Sequence, residues 1–188
     1  MTTIDSMSNW YRSSRIEYFT PFMKLWLAFN GWYKMNYNTT TDKEALDKMK
    51  VDKIFQDRLL TLFFSDSDQA LEFNRYLGEL VREIRNGGLI GKNGDVFDFS
   101  QTDIYNGCTA KDVGKKIEAG EQIVRLTEEI VIKSDTNTVL TELMGVIYQV
   151  RNNVIHGDFD LNNKRAKLLV KNSYIVLDIL LQPLFGDE

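Results

Sequence analysis

Cysteine occurs once in 188 residues, at Cys108, and histidine once, at His156. A lone cysteine excludes an internal disulfide. One cysteine and one histidine cannot build a Cys/His zinc site within the chain. Proline occurs only at Pro21 and Pro183, near the two ends, so helices can run unbroken between them. Positive charge is not in excess: 23 Lys and Arg face 27 Asp and Glu, for a net charge of −4. Many nucleic-acid binders carry a basic excess. Any RNA contact here must therefore come from a local patch, and tight unspecific binding is not expected. Long apolar runs are missing too. The most apolar stretch, Phe19 to Tyr33, is broken by Lys24 and Asn30, and no segment is expected to span a bilayer. Met1 to Asn9 is polar and acid-bearing and does not read as a signal peptide. These absences predict a soluble, cytoplasmic protein. The length fits one domain, residues 1–188, with room for a real core.

What is present is helical periodicity. Val and Ile rarely alternate with polar residues, so the spacing predicts an all-α class. Phe22, Leu25, Trp26, Phe29, Trp32 and Tyr33 make an apolar stripe on a first helix, Ile16 to Met35. Asp42 is expected to cap a second helix to Phe64, with Leu46, Met49, Ile54, Leu59 and Leu62 inward. A third helix runs to Arg85 with Leu71, Phe73, Leu77, Leu80, Val81 and Ile84, and Asn86-Gly87-Gly88 stops it. Leu89 to Thr109 is glycine-rich and irregular, and Val96 to Phe99 alternates weakly like one arm of a small hairpin. A fourth helix is expected over Lys111 to Lys133, a fifth over Val139 to His156 and a sixth over Leu161 to Leu181.

The most informative stretch is Arg151-Asn152-Asn153-Val154-Ile155-His156. Arginine grips a phosphate through a planar fork of donors, and imidazole moves protons near neutral pH. Asn152 and His156, four apart, share a helix face, whereas Arg151 and His156 stand about 140° apart at about 100° per residue. They converge only if the arginine bends round or the helix ends between them. Gly157 is a good terminator, so His156 falls in the last turn.

This stretch resembles the Arg-x4-6-His motif of the HEPN superfamily, including the polar residue after the arginine. The helical hairpin formed by the fifth and sixth helices resembles that family's end of the fold. Leu25-Trp26-Leu27-Ala28-Phe29-Asn30 also looks like helices of bacterial members. The resemblance implies an all-α HEPN-like bundle, here of about six helices with one irregular loop or small hairpin insertion at about 89–109. It implies a homodimer in which two motifs meet across the interface, and RNA cleavage without metal or cofactor. It further implies a toxin–antitoxin or anti-phage role, with an antitoxin or other neutralising protein as partner. Cleavage of RNA needs one group to take the 2′-OH proton and another to protonate the leaving 5′-oxygen. Each chain has one histidine, and two-fold pairing would supply two. His156 would then act as base or acid, Arg151 would stabilise phosphoryl charge, and Asn152 would orient phosphate or imidazole. Some HEPN toxins carry a modifiable tyrosine two residues after the histidine. Asp158 stands there in this chain, with Tyr148 and Tyr174 as candidate neighbours.

Asn153 and the last-helix residues Lys164, Arg165, Lys167 and Lys171 are candidate RNA contacts; the three lysines share one face. Rival readings remain open. Arg151 could simply pair with Asp158 or Asp160 while His156 caps a helix, leaving a catalytically inactive HEPN-type module that binds RNA or protein. Asp158 and Asp160 could hold Mg²⁺ in a metal-dependent nuclease. Gly87 to Asn93 falls short of the phosphate-loop pattern by one residue and lacks its final Ser or Thr. Cys108 has no visible base beside it.

Overall fold

The computed structural model describes residues 17–103, 110–120, 122–160 and 163–185. The helix starts expected at Ile16 and Leu161 lie outside those residues, as do Cys108 and the end of the irregular segment. Among the described residues the chain is predominantly helical, with one small sheet. The helices are α1 (Phe19–Tyr37), α2 (Asp42–Val51), α3 (Lys53–Phe64), α4 (Asp68–Gly87), α5 (Ala110–Glu118), α6 (Thr136–Ile155) and α7 (Lys164–Phe185). Strands β1 (Ile123–Arg125) and β2 (Val131–Lys133) lie between α5 and α6 and pair antiparallel.

The apolar stripes do most of the assembling. Phe22, Trp26, Phe29 and Tyr33 of α1 are fully buried, with Leu25 and Trp32 at the edge of the same core. Helix α7 packs along α4 and α1, and α6 along α2. By length and composition α7 could cross a bilayer, contrary to the expectation that no segment could. Half of its apolar window is buried in the bundle, and it contributes Leu169, Val176, Leu177, Leu180 and Leu181 to the core. Two expected core positions face outward: Ile54 is 53% exposed and Leu71 is 57% exposed. Both lie at the margin of their stripes.

Two of the expected helices depart from the sequence reading. The second helix is broken at Asp52, whose extended backbone (ψ 123°) ends α2 and whose carboxylate caps α3 by accepting from the Ile54 N–H at 2.9 Å. The Tyr37 hydroxyl donates to the other Asp52 oxygen at 2.7 Å. Thr41, not Asp42, caps α2, its hydroxyl accepting from the Glu44 N–H at 3.2 Å. This leaves the Asp42 carboxylate free for longer-range contacts.

The expected fourth helix ends at Glu118, and the chain becomes a β-hairpin. Gly120 takes φ 84°, and the β-branched residues on both sides of a Thr127 turn suit strands better than helix. The Thr127 hydroxyl accepts from the Ile130 N–H at 3.1 Å and closes that turn.

The described part of the irregular segment, residues 89–103, is tied down. Glu142 of α6 accepts from the Gln101 N–H at 2.7 Å and the Thr102 N–H at 3.1 Å, and also from the Thr102 hydroxyl. Arg85 grips Asp103 through two bonds of 2.8 and 2.6 Å. Upstream, residues 89–97 double back as the expected small hairpin. The Phe97 N–H donates to the Leu89 carbonyl at 2.8 Å, the Gly91 N–H donates to the Asp95 carbonyl at 2.8 Å, and Ile90 bridges Val96.

Candidate functional site

Helix α6 sets the site. Asp135 caps its start by accepting from the Thr138 N–H at 3.3 Å. Its end is a Schellman motif centred on Gly157, which takes φ 71°, a conformation open to glycine at little cost. The Asp158 N–H donates to the Asn153 carbonyl at 2.9 Å and the Gly157 N–H donates to the Val154 carbonyl at 3.3 Å. His156 is therefore the C-cap, exposed, with its own N–H donating to the Asn152 carbonyl at 2.9 Å.

Gln149, Asn152 and His156 follow one another at helical spacing on α6 and face the 89–97 hairpin. Between them is a cleft of about 250 Å³. Tyr148, Gln149, Asn152 and His156 form its helix side, and Gly91, Lys92, Asn93, Asp95 and Phe97 form the hairpin side. Lys92 reaches across to Asp158 at 3.6 Å, both side chains being largely solvated; such a pair contributes little to stability. The Phe97 ring lies against Gly145, one turn further up α6.

Arg151 is turned to the other flank of the helix. Its guanidinium lies 3.8 Å from the Asp42 carboxylate and 5.7 Å from the Trp26 ring centre. Asp42 also accepts from the Tyr33 hydroxyl at 2.6 Å and from the Asn30 amide at 3.1 Å. Burial first, and then the Asp42 carboxylate, push the Tyr33 hydroxyl above the ordinary tyrosine range. One link runs back to the cleft: Arg151 donates to Asn152 Oδ1 at 2.8 Å. That bond fixes the Asn152 amide. The structure thus brings Asn152 and His156 into one cleft and joins Arg151 to them through Asn152. The carboxylate that Arg151 faces is Asp42, in place of the Asp158 or Asp160 that a purely structural role suggested.

The candidate RNA contacts separate into different settings. Asn153 is 8% exposed and accepts from Gln149 Nε2 at 2.6 Å, so it braces the cleft from behind. Arg165 donates to the Glu83 carbonyl at 3.1 Å and to the Gly88 carbonyl, where it clamps the end of α4. Lys171 is half-buried, with its ammonium 5.3 Å from the Tyr76 ring centre and 6.0 Å from that of Tyr18. Only Lys164 and Lys167 of the four stand exposed. Tyr148 lines the cleft, whereas Tyr174 packs on Tyr18 at 5.7 Å. Among the described residues no group of three or more His, Cys, Asp or Glu side chains is arranged to hold a metal ion.

Sequence reasoning missed Gln149, weighed Lys92 and Asn93 only within a failed phosphate loop, and gave Asp42 only a capping role. Gln149 gave a signal, as a polar residue seven before His156 and three before Asn152, on the face they share. Lys92 and Asp42 gave none, because their relation to the motif is purely tertiary. Comparison with protein-family models, with curated proteins and with solved structures finds no match.

Proposed function

We propose that the chain is a metal-independent endoribonuclease of HEPN type, acting as a homodimer in a toxin–antitoxin or anti-phage setting. The observation that carries this reading is the last turn of α6. It presents the only imidazole of the chain, exposed, in the same cleft as an amide that is itself held by Arg151. In the reaction a base removes the 2′-OH proton, the 2′-oxygen attacks phosphorus, and the P–O5′ bond breaks as an acid protonates the leaving oxygen. One His156 serves one proton transfer, and His156 of a second copy serves the other. Arg151 offsets the phosphoryl charge, and the Asn152 N–H2 orients a phosphate oxygen. Ile155 beside the histidine is 46% exposed, and Ile90 and Val96 on the hairpin are 65% and 63% exposed. Their apolar surface supports pairing of two copies near the site.

The test is cleavage of RNA in EDTA. Wild type is expected to yield 2′,3′-cyclic phosphate and 5′-hydroxyl ends, and His156→Ala to yield none while keeping its oligomeric state in sedimentation. Full activity of His156→Ala rejects the mechanism. A second reading, an inactive HEPN-type module that binds RNA or protein, is favoured by one observation: Arg151 is already engaged by Asp42. It predicts RNA or partner binding with no cleavage by wild type.

A further inference from the structure

The least exposed polar side chain of the cleft is Gln149, at 5%. Its Nε2 donates to Asn153 Oδ1 at 2.6 Å, so the amide cannot turn without losing that bond. Its Oε1 faces the hairpin, 3.2 Å from where a β-carbon on Gly91 would stand. No described residue donates to this oxygen. A carbonyl held this way is an unspent acceptor, and a donor entering the cleft would satisfy it.

Two aromatic rings line the same space. Tyr148 comes from α6, backed by Trp26 at 5.9 Å between ring centres. Phe97 comes from the hairpin, with its edge 3.0 Å from the same Gly91 position. A fixed acceptor beside flat apolar walls is how proteins hold an unpaired nucleobase: the ring stacks and the pairing edge is read by hydrogen bonds. A volume of about 250 Å³ falls below the range of drug-sized ligand sites. It suits one planar heterocycle rather than a duplex. Gly91 matters here for close approach, since any side chain at that position would press on both Phe97 and Gln149.

The geometry points to a base-reading subsite in which Gln149 Oε1 accepts from the exocyclic amine of adenine or cytosine. Guanine and uracil place a carbonyl oxygen at the corresponding point of their edges. Oxygen would then face oxygen, with the Gln149 amide held in place by Asn153. This subsite rests on the proposed function for its RNA context. The base would enter the cleft, while its phosphate lies at the rim near His156 and Asn152. Gln149 acts as a specificity residue and takes no part in bond breaking.

The four nucleoside 3′-monophosphates, titrated into the full chain and followed by NMR, test this directly. Adenine and cytosine forms are expected to bind about tenfold tighter than guanine and uracil forms, a modest value for one well-placed hydrogen bond. Gly91→Ala is expected to weaken all four, and Gln149→Met to erase the preference. Gln149→Glu keeps an acceptor, and the Asn153 amide can turn to donate to it, so the preference is expected to return. Thermal melts of each variant show which ones remain folded, and either Gly91→Ala or Gln149→Met alone suffices. Equal binding of all four nucleotides overturns the subsite, as does an unchanged preference in folded Gln149→Met. Mapping cuts on an unstructured RNA separates this inference from the enzymatic one. His156-dependent cutting with no adenine or cytosine bias removes the subsite and leaves the nuclease. Biased nucleotide binding without any cutting by wild type keeps the subsite and removes the nuclease.

Discussion

Asp42 is the sharpest place to perturb the site, because Asp42→Ala and Asp42→Asn remove different things. The carboxylate accepts from the fully buried Tyr33 hydroxyl and from Asn30, and it faces Arg151 at 3.8 Å. It also sits in the first turn of α2, where negative charge is favoured. Asp42→Ala leaves the Tyr33 O–H buried without its acceptor, at about 1–3 kcal/mol. Loss of the helix-terminus charge costs a further ~0.3–1 kcal/mol. The ion pair itself adds at most about 1 kcal/mol, because both side chains keep about a fifth of their surface in solvent. A total of roughly 1–5 kcal/mol follows for alanine. Asparagine retains an oxygen for Tyr33 and forfeits only the charge, so about 1 kcal/mol is expected. Urea unfolding at neutral pH measures both, as shifts in midpoint at constant slope. Equal penalties for the two variants would refute the reasoning, since the buried hydroxyl would then not be what Asp42 satisfies. The same asparagine variant reports on Arg151. Without a carboxylate competing for the guanidinium, cleavage of RNA is expected to rise in Asp42→Asn; a fall in the folded variant means that Asp42 positions Arg151 for substrate instead of withholding it.

The buried Glu142 gives a prediction with pH. Burial pushes its carboxyl above the ordinary glutamate range, and the bonds from Thr102 and Gln101 only partly pull it back. A folded-state pKa above the unfolded one means that its contribution is fullest below the unfolded value and is lost as pH rises through the folded value. The stability of wild type minus that of Glu142→Gln, from urea unfolding, should therefore fall as pH rises through and above the ordinary glutamate range; a rise contradicts the burial argument. The basic patch on α7 reduces to two solvated residues. Lys164→Glu with Lys167→Glu is expected to weaken RNA binding and flatten its dependence on salt, and an unchanged slope removes α7 from the RNA path.

Helices were legible where one apolar stripe met one partner surface. Phe22, Trp26, Phe29 and Tyr33 repeat at helical spacing and are buried together for that reason. The break at Asp52 was overlooked although the buried face shifts by about 100° round the helix between Met49 and the Phe55–Leu59 pair, at about 100° per residue; the capping bonds fix where it falls. The hairpin at 123–133 was misread because Ile and Val runs satisfy a helical count as readily as a strand. What decides between them is Gly120 and the tertiary pairing of Asp103 with Ile132. At the site, the place of His156 followed from Gly157 alone. The engagement of Arg151 did not, because Asp42 lies more than a hundred residues earlier. Arg165 reads as one more cation of a basic face, yet it is spent on carbonyls of α4 that are remote in sequence.

The five-residue spacing from Arg151 to His156 has a consequence for the ligand. The two side chains leave α6 about 140° apart, one against the wall built by α1 and α2 and the other in the cleft under the hairpin. A small anion in the cleft meets His156 and Asn152 but leaves Arg151 with Asp42. A phosphodiester chain laid across the last turn of α6 has the reach to engage both flanks, with Asn152 as the hinge between them. Arg151→Ala should therefore weaken an oligonucleotide far more than a mononucleotide in paired titrations. Equal loss for both ligands would place the guanidinium inside the cleft and dissolve the distinction between its two walls.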